Sequence, residues 1–214
     1  MGKNKGKNRR RKIMIRWFLL GAIAMLVISC ILAVVSWVIK PKVVQDAPEF
    51  EVNLLTMNEY SRSGEANRKI NGIVIHYTAN PGTTAAQNRN YFEGLKDSQL
   101  TKASSHFIIG LEGEIIQCIP TNEIAYASND RNYDTISIEC CHADETGKFN
   151  EETYESLVHL TAWLCGKFDL KPSDVIRHYD VTGKLCPLYY VEHEDAWEQF
   201  IDDVKEYIDT YGIK

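Results

Sequence analysis

The sequence contains no internal repeat, no glycine-rich phosphate-binding loop and no low-complexity tract. Neither a repeat architecture nor nucleotide binding through such a loop is therefore indicated. Its composition is ordinary for a globular protein, so disorder does not dominate the chain. A length of 214 residues is enough for one compact domain with additional segments.

Basic charge is scarce outside the first 16 residues. Those 16 residues hold eight of the 24 Lys and Arg residues and no acidic residue. The remaining chain therefore has 16 basic against 29 acidic residues, a division that the formal net charge of −5 conceals. An acidic body argues against direct binding of nucleic acid, whose phosphates attract basic surfaces.

Residues 17–39 form a run of 23 residues without a charged side chain. At about 1.5 Å per residue a helix of this length reaches roughly 34 Å, enough to cross a hydrocarbon core of about 30 Å. Trp17 and Trp37 stand near its ends, and the basic cluster precedes it. We expect one transmembrane helix, with residues 1–16 as a cytoplasmic tail and the C-terminal body extracellular. A cleavable signal peptide is the alternative, although its apolar core is usually only about 7–15 residues long.

The rest of the chain is interpreted as a linker with some local structure, residues 40–69, and one folded domain, residues 70–214. Within the linker, residues 52–60 could pack on the domain or begin it. Strand-like and helix-like segments alternate in this domain, which predicts an α/β fold with a central mixed β-sheet flanked by helices. Thr83 and Asn150 are the predicted N-caps of two helices, and Gly94 is expected to end the first of them.

Two apolar strands of the predicted sheet carry chemically active side chains. His76 lies at the end of the run 70–77, and Glu139 lies within the run 135–141. A carboxylate on an apolar strand is costly to bury without partners, so a cleft explains Glu139 better, and burial there would raise its pKa. The alternatives are a salt-bridged glutamate on the sheet face and a hydrogen-bonded core histidine. Residues 104–119 have the pattern of a β-hairpin.

Residues 177–187, which read RHYDVTGKLCP, hold the densest group of candidate site residues. His178 and Cys186 supply the imidazole and thiolate ligands that Zn²⁺ prefers, and a catalytic zinc site keeps one position open for water. His76 is the best candidate for a third ligand. Glu139 is suited to activate the water as a general base.

Four segments, IVIHYTA, SSHFIIGLEGEIIQCIP, DTISIE and RHYDVTGKLCP, together resemble the type 2 N-acetylmuramoyl-L-alanine amidases. This family of zinc amidases cuts peptidoglycan and includes the peptidoglycan-recognition proteins. The resemblance covers residues 70–187 and rests on the order and spacing of the segments. It implies five site residues, of which three bind zinc and two act in catalysis: His76, His178 and Cys186, then Glu139 and Lys184.

The resemblance implies hydrolysis of the amide between muramic acid and L-alanine of the stem peptide, with Zn²⁺ as cofactor and peptidoglycan as substrate. Glu139 would move the proton of the attacking water, and Lys184 would stabilise the oxyanion. One alternative is a recognition module without activity, which often lacks the cysteine ligand that Cys186 supplies here. Another alternative is a domain in which zinc or disulfides have only a structural role. For Lys184 alone, the alternative is an ordinary lysine in a turn.

The sequence also departs from the family at two places. Ser105 stands where some members have a catalytic tyrosine, so that role is not carried over. Residues 126–129, Tyr-Ala-Ser-Asn, stand where many relatives have Trp-His-Ala-Gly, which leaves the substrate contacts of that loop open. His106 is expected to support the site or to be structural, and His142 is expected to be a surface residue.

Five cysteines lie outside the apolar run, and one of them is the proposed ligand Cys186. This odd number of cysteines is compatible with one that binds a metal as a thiolate and four others. Disulfides and free buried thiols are both compatible with the spacing of those four. They are Cys118, Cys140, Cys141 and Cys165.

Overall fold

The computed structural model describes residues 16–23, 25–32 and 41–214 of the chain. Residues 16–23 and 25–32 are helical, and residues 42–213 form a separate compact unit. Among the residues described, no helix is both long enough and apolar enough to span a bilayer. The predicted span at residues 17–39 is covered only in part, because residue 24 and residues 33–39 lie outside these ranges, as does most of the basic tail.

The compact unit is built on a mixed six-stranded sheet, which confirms the predicted α/β fold. The strand order is β1-β4-β3-β5-β2-β6, and only the pair β3 and β4 is antiparallel. That antiparallel pair is the predicted hairpin. The strands are β1 Glu51–Val52, β2 Gly72–Tyr77, β3 Phe107–Ile109, β4 Ile115–Gln117, β5 Thr135–Cys140 and β6 Val175–Arg177.

Five helices of the compact unit surround the sheet: α1 Ala85–Ser98, α2 Glu151–Phe168, α3 His178–Thr182, α4 Leu188–Glu192 and α5 Glu194–Tyr211. Asn150 caps α2 as predicted, because its side chain accepts a hydrogen bond from the Thr153 N–H. The cap of α1 is Thr84, one residue after the predicted Thr83. Gly94 does not end α1; the helix continues to Ser98 and ends at Gln99, which has left-handed backbone angles.

Alternation along the strands divides the core between the two faces of the sheet. Ile73 and Ile75 of β2 and Ile136 and Ile138 of β5 pack against α2 and α5. The opposite face packs against α1 through a second apolar cluster that includes Leu95. Helices therefore cover both faces, and the polar side chains of β2 and β5 gather where these strands end.

The compact unit begins at Lys42 rather than at Ile70. Leu55, within the predicted linker, is buried in the cluster under α1, and β1 pairs with β4 at the sheet edge. The Arg89 guanidinium of α1 donates hydrogen bonds to the carbonyls of Asn53 and Leu54. Burial of an apolar side chain and satisfied backbone groups hold this stretch on the domain, so little of residues 42–69 acts as a free spacer.

Candidate functional site

Three residues predicted as metal ligands come together at one end of the sheet. The Nδ1 atom of His76 lies 3.8 Å from the Sγ atom of Cys186. The rings of His76 and His178 are 4.7 Å apart between centroids. One donor atom from each of the three residues falls within 4.8 Å of the other two, and all three residues are buried. The cluster brings together positions separated by about half of the chain.

Parallel pairing of the strands explains this convergence. β2 pairs with β6 on one side and with β5 on the other, so their carboxyl ends meet at the same edge. His76 lies near the end of β2, and His178 follows β6 as the first residue of α3. A short loop after α3 returns Cys186 to the cluster, where its carbonyl accepts a hydrogen bond from the Tyr179 N–H.

Arg177 fixes the start of α3 immediately before the candidate ligand His178. Its buried guanidinium forms ion pairs with Asp180 at 3.0 Å and with Glu194 at 2.6 Å. The Asp180 carboxylate also accepts a hydrogen bond from the Arg177 N–H. These charge-assisted bonds join β6, α3 and α5, and they limit movement of His178. The sequence pattern did not single out Arg177, since its burial follows from the packing of α5.

The outer nitrogen atoms of the two histidines have side-chain partners. His76 Nε2 is 3.2 Å from Ser128 Oγ, and His178 Nε2 is 3.0 Å from Asn129 Oδ1. The other nitrogen of His178, Nδ1, is buried and has no hydrogen-bond partner in the described part of the protein. A buried polar atom without a partner is destabilising unless something else occupies that position.

These donors fit a zinc ion. Zn–N bonds of about 2.0 Å and a Zn–S bond of about 2.3 Å place tetrahedral donors roughly 3.5 Å apart, close to the observed separation of His76 and Cys186. Two imidazoles and a thiolate are a ligand set that zinc prefers, and the unpartnered Nδ1 of His178 points to the same assignment. The backbone of Tyr77 lowers the pKa of the Cys186 thiol, an influence that favours the thiolate.

Burial governs the protonation of the three candidate ligands. It lowers the pKa of His76 well below the usual value, and the nearby charges of His178 and Lys184 lower it further. Burial also lowers the pKa of His178, again assisted by Lys184. Neutral imidazoles are therefore available as ligands. Burial raises the pKa of the Cys186 thiol to about 12, so a bound cation would have to displace its proton.

Glu139 lies on β5 directly beside His76 of β2 in the sheet register. Its side chain is half-buried, and its Oε2 atom is buried with no hydrogen-bond partner among the described residues. Burial raises the pKa of this carboxyl group to about 8, against the opposing influence of Lys184. Burial thus raises the pKa of Glu139 as expected, into the range of a group that exchanges protons near neutral pH.

Lys184 is exposed and follows Gly183, whose φ of 77° ends α3 in the left-handed region. Its positive charge lowers the pKa of His76, His178 and Glu139, which places the ammonium group near the cluster. The position is compatible with a role in charge stabilisation.

His106 has a structural role in this protein. Its Nε2 donates to the carbonyl of Glu123 at 2.9 Å, and its Nδ1 accepts from the Ser137 N–H at 3.0 Å. Burial lowers its pKa to about 4, so the ring is neutral. Both ring nitrogens are used in joining β5 to the preceding loop, which favours the structural alternative.

The prediction of a surface position for His142 is wrong, because this side chain is 1% exposed. Its Nδ1 donates to the carbonyl of Asp144 at 2.7 Å, and its ring lies 5.1 Å from that of Tyr77. The loop after β5 folds back over Tyr77, where Gly147 approaches the ring closely. The position of His142 just after β5 does not predict its burial, because the burial depends on how this loop folds.

All six cysteines are free. This favours free buried thiols over disulfides and leaves Cys186 available as a ligand. Cys140 and Cys165 belong to the apolar core on the α2 side of the sheet, where burial raises their pKa values. Such thiols are chemically inert packing groups.

A comparison with protein families agrees with this geometry. The family described as N-acetylmuramoyl-L-alanine amidase matches residues 66–188, more than half of the chain. The chain belongs to this amidase family. All five candidate site residues lie within the part that matches the amidase family, as do β2, β5 and β6.

Curated members of the amidase family are longer than this chain. The N-acetylmuramoyl-L-alanine amidase CwlL of Bacillus licheniformis is 36% identical over 161 residues, which are 69% of this chain and 44% of the relative. The N-acetylmuramoyl-L-alanine amidase BlyA of Bacillus subtilis (strain 168) is 32% identical over 177 residues, with shares of 73% and 47%. The chain thus spans about half the length of these relatives.

A solved structure described as the catalytic domain of XlyA has a similar fold. It is 25% identical, with a TM-score of 0.62, and the similarity covers 73% of this chain and 99% of that domain. The similarity in fold therefore extends over nearly all of that solved domain.

Proposed function

We propose that this protein is a zinc-dependent peptidoglycan hydrolase that cleaves the amide between N-acetylmuramic acid and L-alanine of the stem peptide. The observation that carries the proposal is the buried cluster of His76, His178 and Cys186 beside the unpartnered carboxyl group of Glu139. Membership of the amidase family supports the substrate class.

His76, His178 and Cys186 would hold zinc, and a catalytic zinc site with three protein ligands keeps a fourth position for water or substrate. When bound, zinc supplies Lewis-acid chemistry, polarising water or a carbonyl group at that position. Glu139 takes the proton from the attacking water and returns it to the leaving amine, a task that suits a pKa of about 8. Lys184 stabilises the negative charge that develops on the carbonyl oxygen as the carbon becomes tetrahedral.

Zinc content and bond specificity together test this proposal. The expected result for the full-length protein is one zinc per chain by elemental analysis, with release of L-alanine amino groups from purified peptidoglycan and no new reducing ends. Muropeptide analysis of the digest identifies the cleaved bond. A recognition module would instead bind peptidoglycan and release nothing, and new reducing ends would indicate cleavage of the glycan, which would contradict the proposal.

We also propose, from the sequence, that residues 17–39 anchor the protein in the cell membrane, with the domain extracellular. The support is the charge-free run of 23 residues and the eight basic residues that precede its first tryptophan. Protease added to intact cells is expected to degrade residues 42–213 and to leave an N-terminal fragment protected. A protected domain would contradict this topology, and a shortened soluble form would show that the run is cleaved as a signal peptide.

A further inference from the structure

The loop between β4 and β5 contacts both histidines of the candidate metal cluster through their Nε2 atoms. Ser128 Oγ lies 3.2 Å from His76 Nε2, and Asn129 Oδ1 lies 3.0 Å from His178 Nε2. Two consecutive residues of one loop therefore contact both imidazoles. This loop is the segment in which the sequence departs from the Trp-His-Ala-Gly of many relatives.

The partner of His178 determines which of its nitrogens carries the proton. An amide oxygen only accepts hydrogen bonds, so His178 donates from Nε2 to Asn129. Its Nδ1 atom then retains its lone pair, and this is the buried atom without a hydrogen-bond partner among the residues described. In His76, Nε2 contacts the Ser128 hydroxyl, which can accept a hydrogen bond from it, while Nδ1 faces the Cys186 sulfur at 3.8 Å.

The loop itself is held firmly enough to orient these rings. The side-chain oxygen of Asn132 accepts hydrogen bonds from the Ala127 N–H at 3.0 Å and from the Ser128 N–H at 2.6 Å. The Arg131 N–H donates to the Ser128 carbonyl. Asn129 has a φ of 52°, a left-handed conformation that asparagine tolerates better than most residues.

We propose that Ser128 and Asn129 are positioning residues that hold His76 and His178 in the tautomers that present Nδ1 to the metal. The inference rests on the proposed zinc function, which it deepens. A hydrogen bond from the outer nitrogen fixes the ring orientation and increases the basicity of the coordinating nitrogen. The sequence change in this loop thus supplies metal-orienting groups rather than only altering substrate contacts.

Substitution of Asn129 tests this role with two matched variants. Asn129→Gly removes the acceptor but retains a residue that adopts positive φ freely. It is expected to lower zinc affinity about 10–100-fold, measured by competition with a chelator on the full-length protein. Asn129→Asp keeps an acceptor at the same position and is expected to bind zinc at least as tightly as the parent. Asp130→Ala, an exposed neighbour in the same turn, is the control and should match the parent.

Thermal unfolding of the metal-free variants separates positioning from folding. A positioning role predicts that metal-free Asn129→Gly melts near the metal-free parent, although its zinc affinity falls. The visible absorption of the cobalt-loaded proteins gives a second readout, since it reports the ligand geometry directly. Asn129→Asp is expected to retain the parent spectrum, and Asn129→Gly to alter it.

Ser128→Ala provides an independent test through the other histidine. It removes one hydroxyl and is expected to weaken zinc binding about 10–100-fold in the same competition assay. Parent-like zinc affinity in both Asn129→Gly and Ser128→Ala would overturn the inference while leaving the zinc function intact. An equal loss in Asn129→Asp and Asn129→Gly would also overturn it, because the acceptor would then be irrelevant. A parent that binds no zinc would overturn the inference and the proposed function together.

Discussion

Glu139→Gln is expected to lower amide hydrolysis about 10²–10⁴-fold, the usual contribution of a general base. Glutamine has nearly the same size as glutamate, but it cannot accept the proton of the attacking water. Zinc content should stay at the parent level, because the Glu139 side chain is not part of the donor cluster. The measurement combines the rate of L-alanine amino-group release with elemental analysis of the same samples.

Glu145→Gln is the matched control for this substitution. Glu145 lies on the loop after β5, is exposed, and is near enough to Tyr77 to raise the pKa of that phenol. Glu145 places a negative charge near Tyr77 but does not lie on β5. Its replacement should therefore leave turnover close to that of the parent. Near-parent turnover in Glu139→Gln would remove this carboxylate from the mechanism.

The stability of the metal-free protein reports the burial of Glu139 separately from catalysis. Its pKa is raised from the ordinary 4.5 to about 8, so the folded protein keeps a proton that the unfolded chain releases between these values. The resulting stabilisation is fully present below about pH 4.5 and is lost as the pH rises towards 8. Glutamine does not titrate. The free energy of unfolding of the parent, measured with urea, should therefore fall relative to that of Glu139→Gln as the pH rises over this interval.

Cys186→Ser is expected to lower zinc affinity and peptidoglycan hydrolysis together. The serine hydroxyl stays protonated near neutral pH and is a poorer zinc ligand than a thiolate. Loss of one of three ligands should leave His76 and His178 unable to retain the ion during purification. Zinc stoichiometry and amino-group release, measured on the same preparation, check this expectation.

Cys165→Ser is the matched control, because it makes the same chemical change at another buried cysteine. Cys165 packs in the apolar core against the α2 side of the sheet, so zinc content and turnover should stay nearly intact. Reductant should not mimic Cys186→Ser, since all the cysteines are free. Full zinc and full activity in Cys186→Ser would contradict the metal assignment.

Local chemistry made much of the fold and site predictable. Alternating apolar residues in β2 and β5 predicted two buried strands, and Asn150 predicted the start of α2. Residue types alone identified His76, His178 and Cys186 as ligand candidates, since few other side chains bind zinc. These features depend on properties that a few neighbouring residues carry, so they can be read without knowing the remainder of the fold.

Tertiary structure decided the properties that depend on distant contacts. Leu55 shows that the domain begins well before Ile70, since its burial depends on α1 and β4. His142 is covered by a loop that folds back over Tyr77, a feature without a local sequence signal. Gly94 stays inside α1, which ends only at Gln99, where the backbone is left-handed.

The chemistry of the site shows the same division. The sequence by itself determined which groups are present: two imidazoles, a thiol, a carboxyl group and a lysine amine. Only the folded chain determined that the Glu139 carboxyl is buried enough to have a pKa of about 8, and that Ser128 and Asn129 contact the outer nitrogens of the histidines. Desolvation and hydrogen-bond partners arise when distant segments pack together, whereas the identity of a side chain does not change with folding.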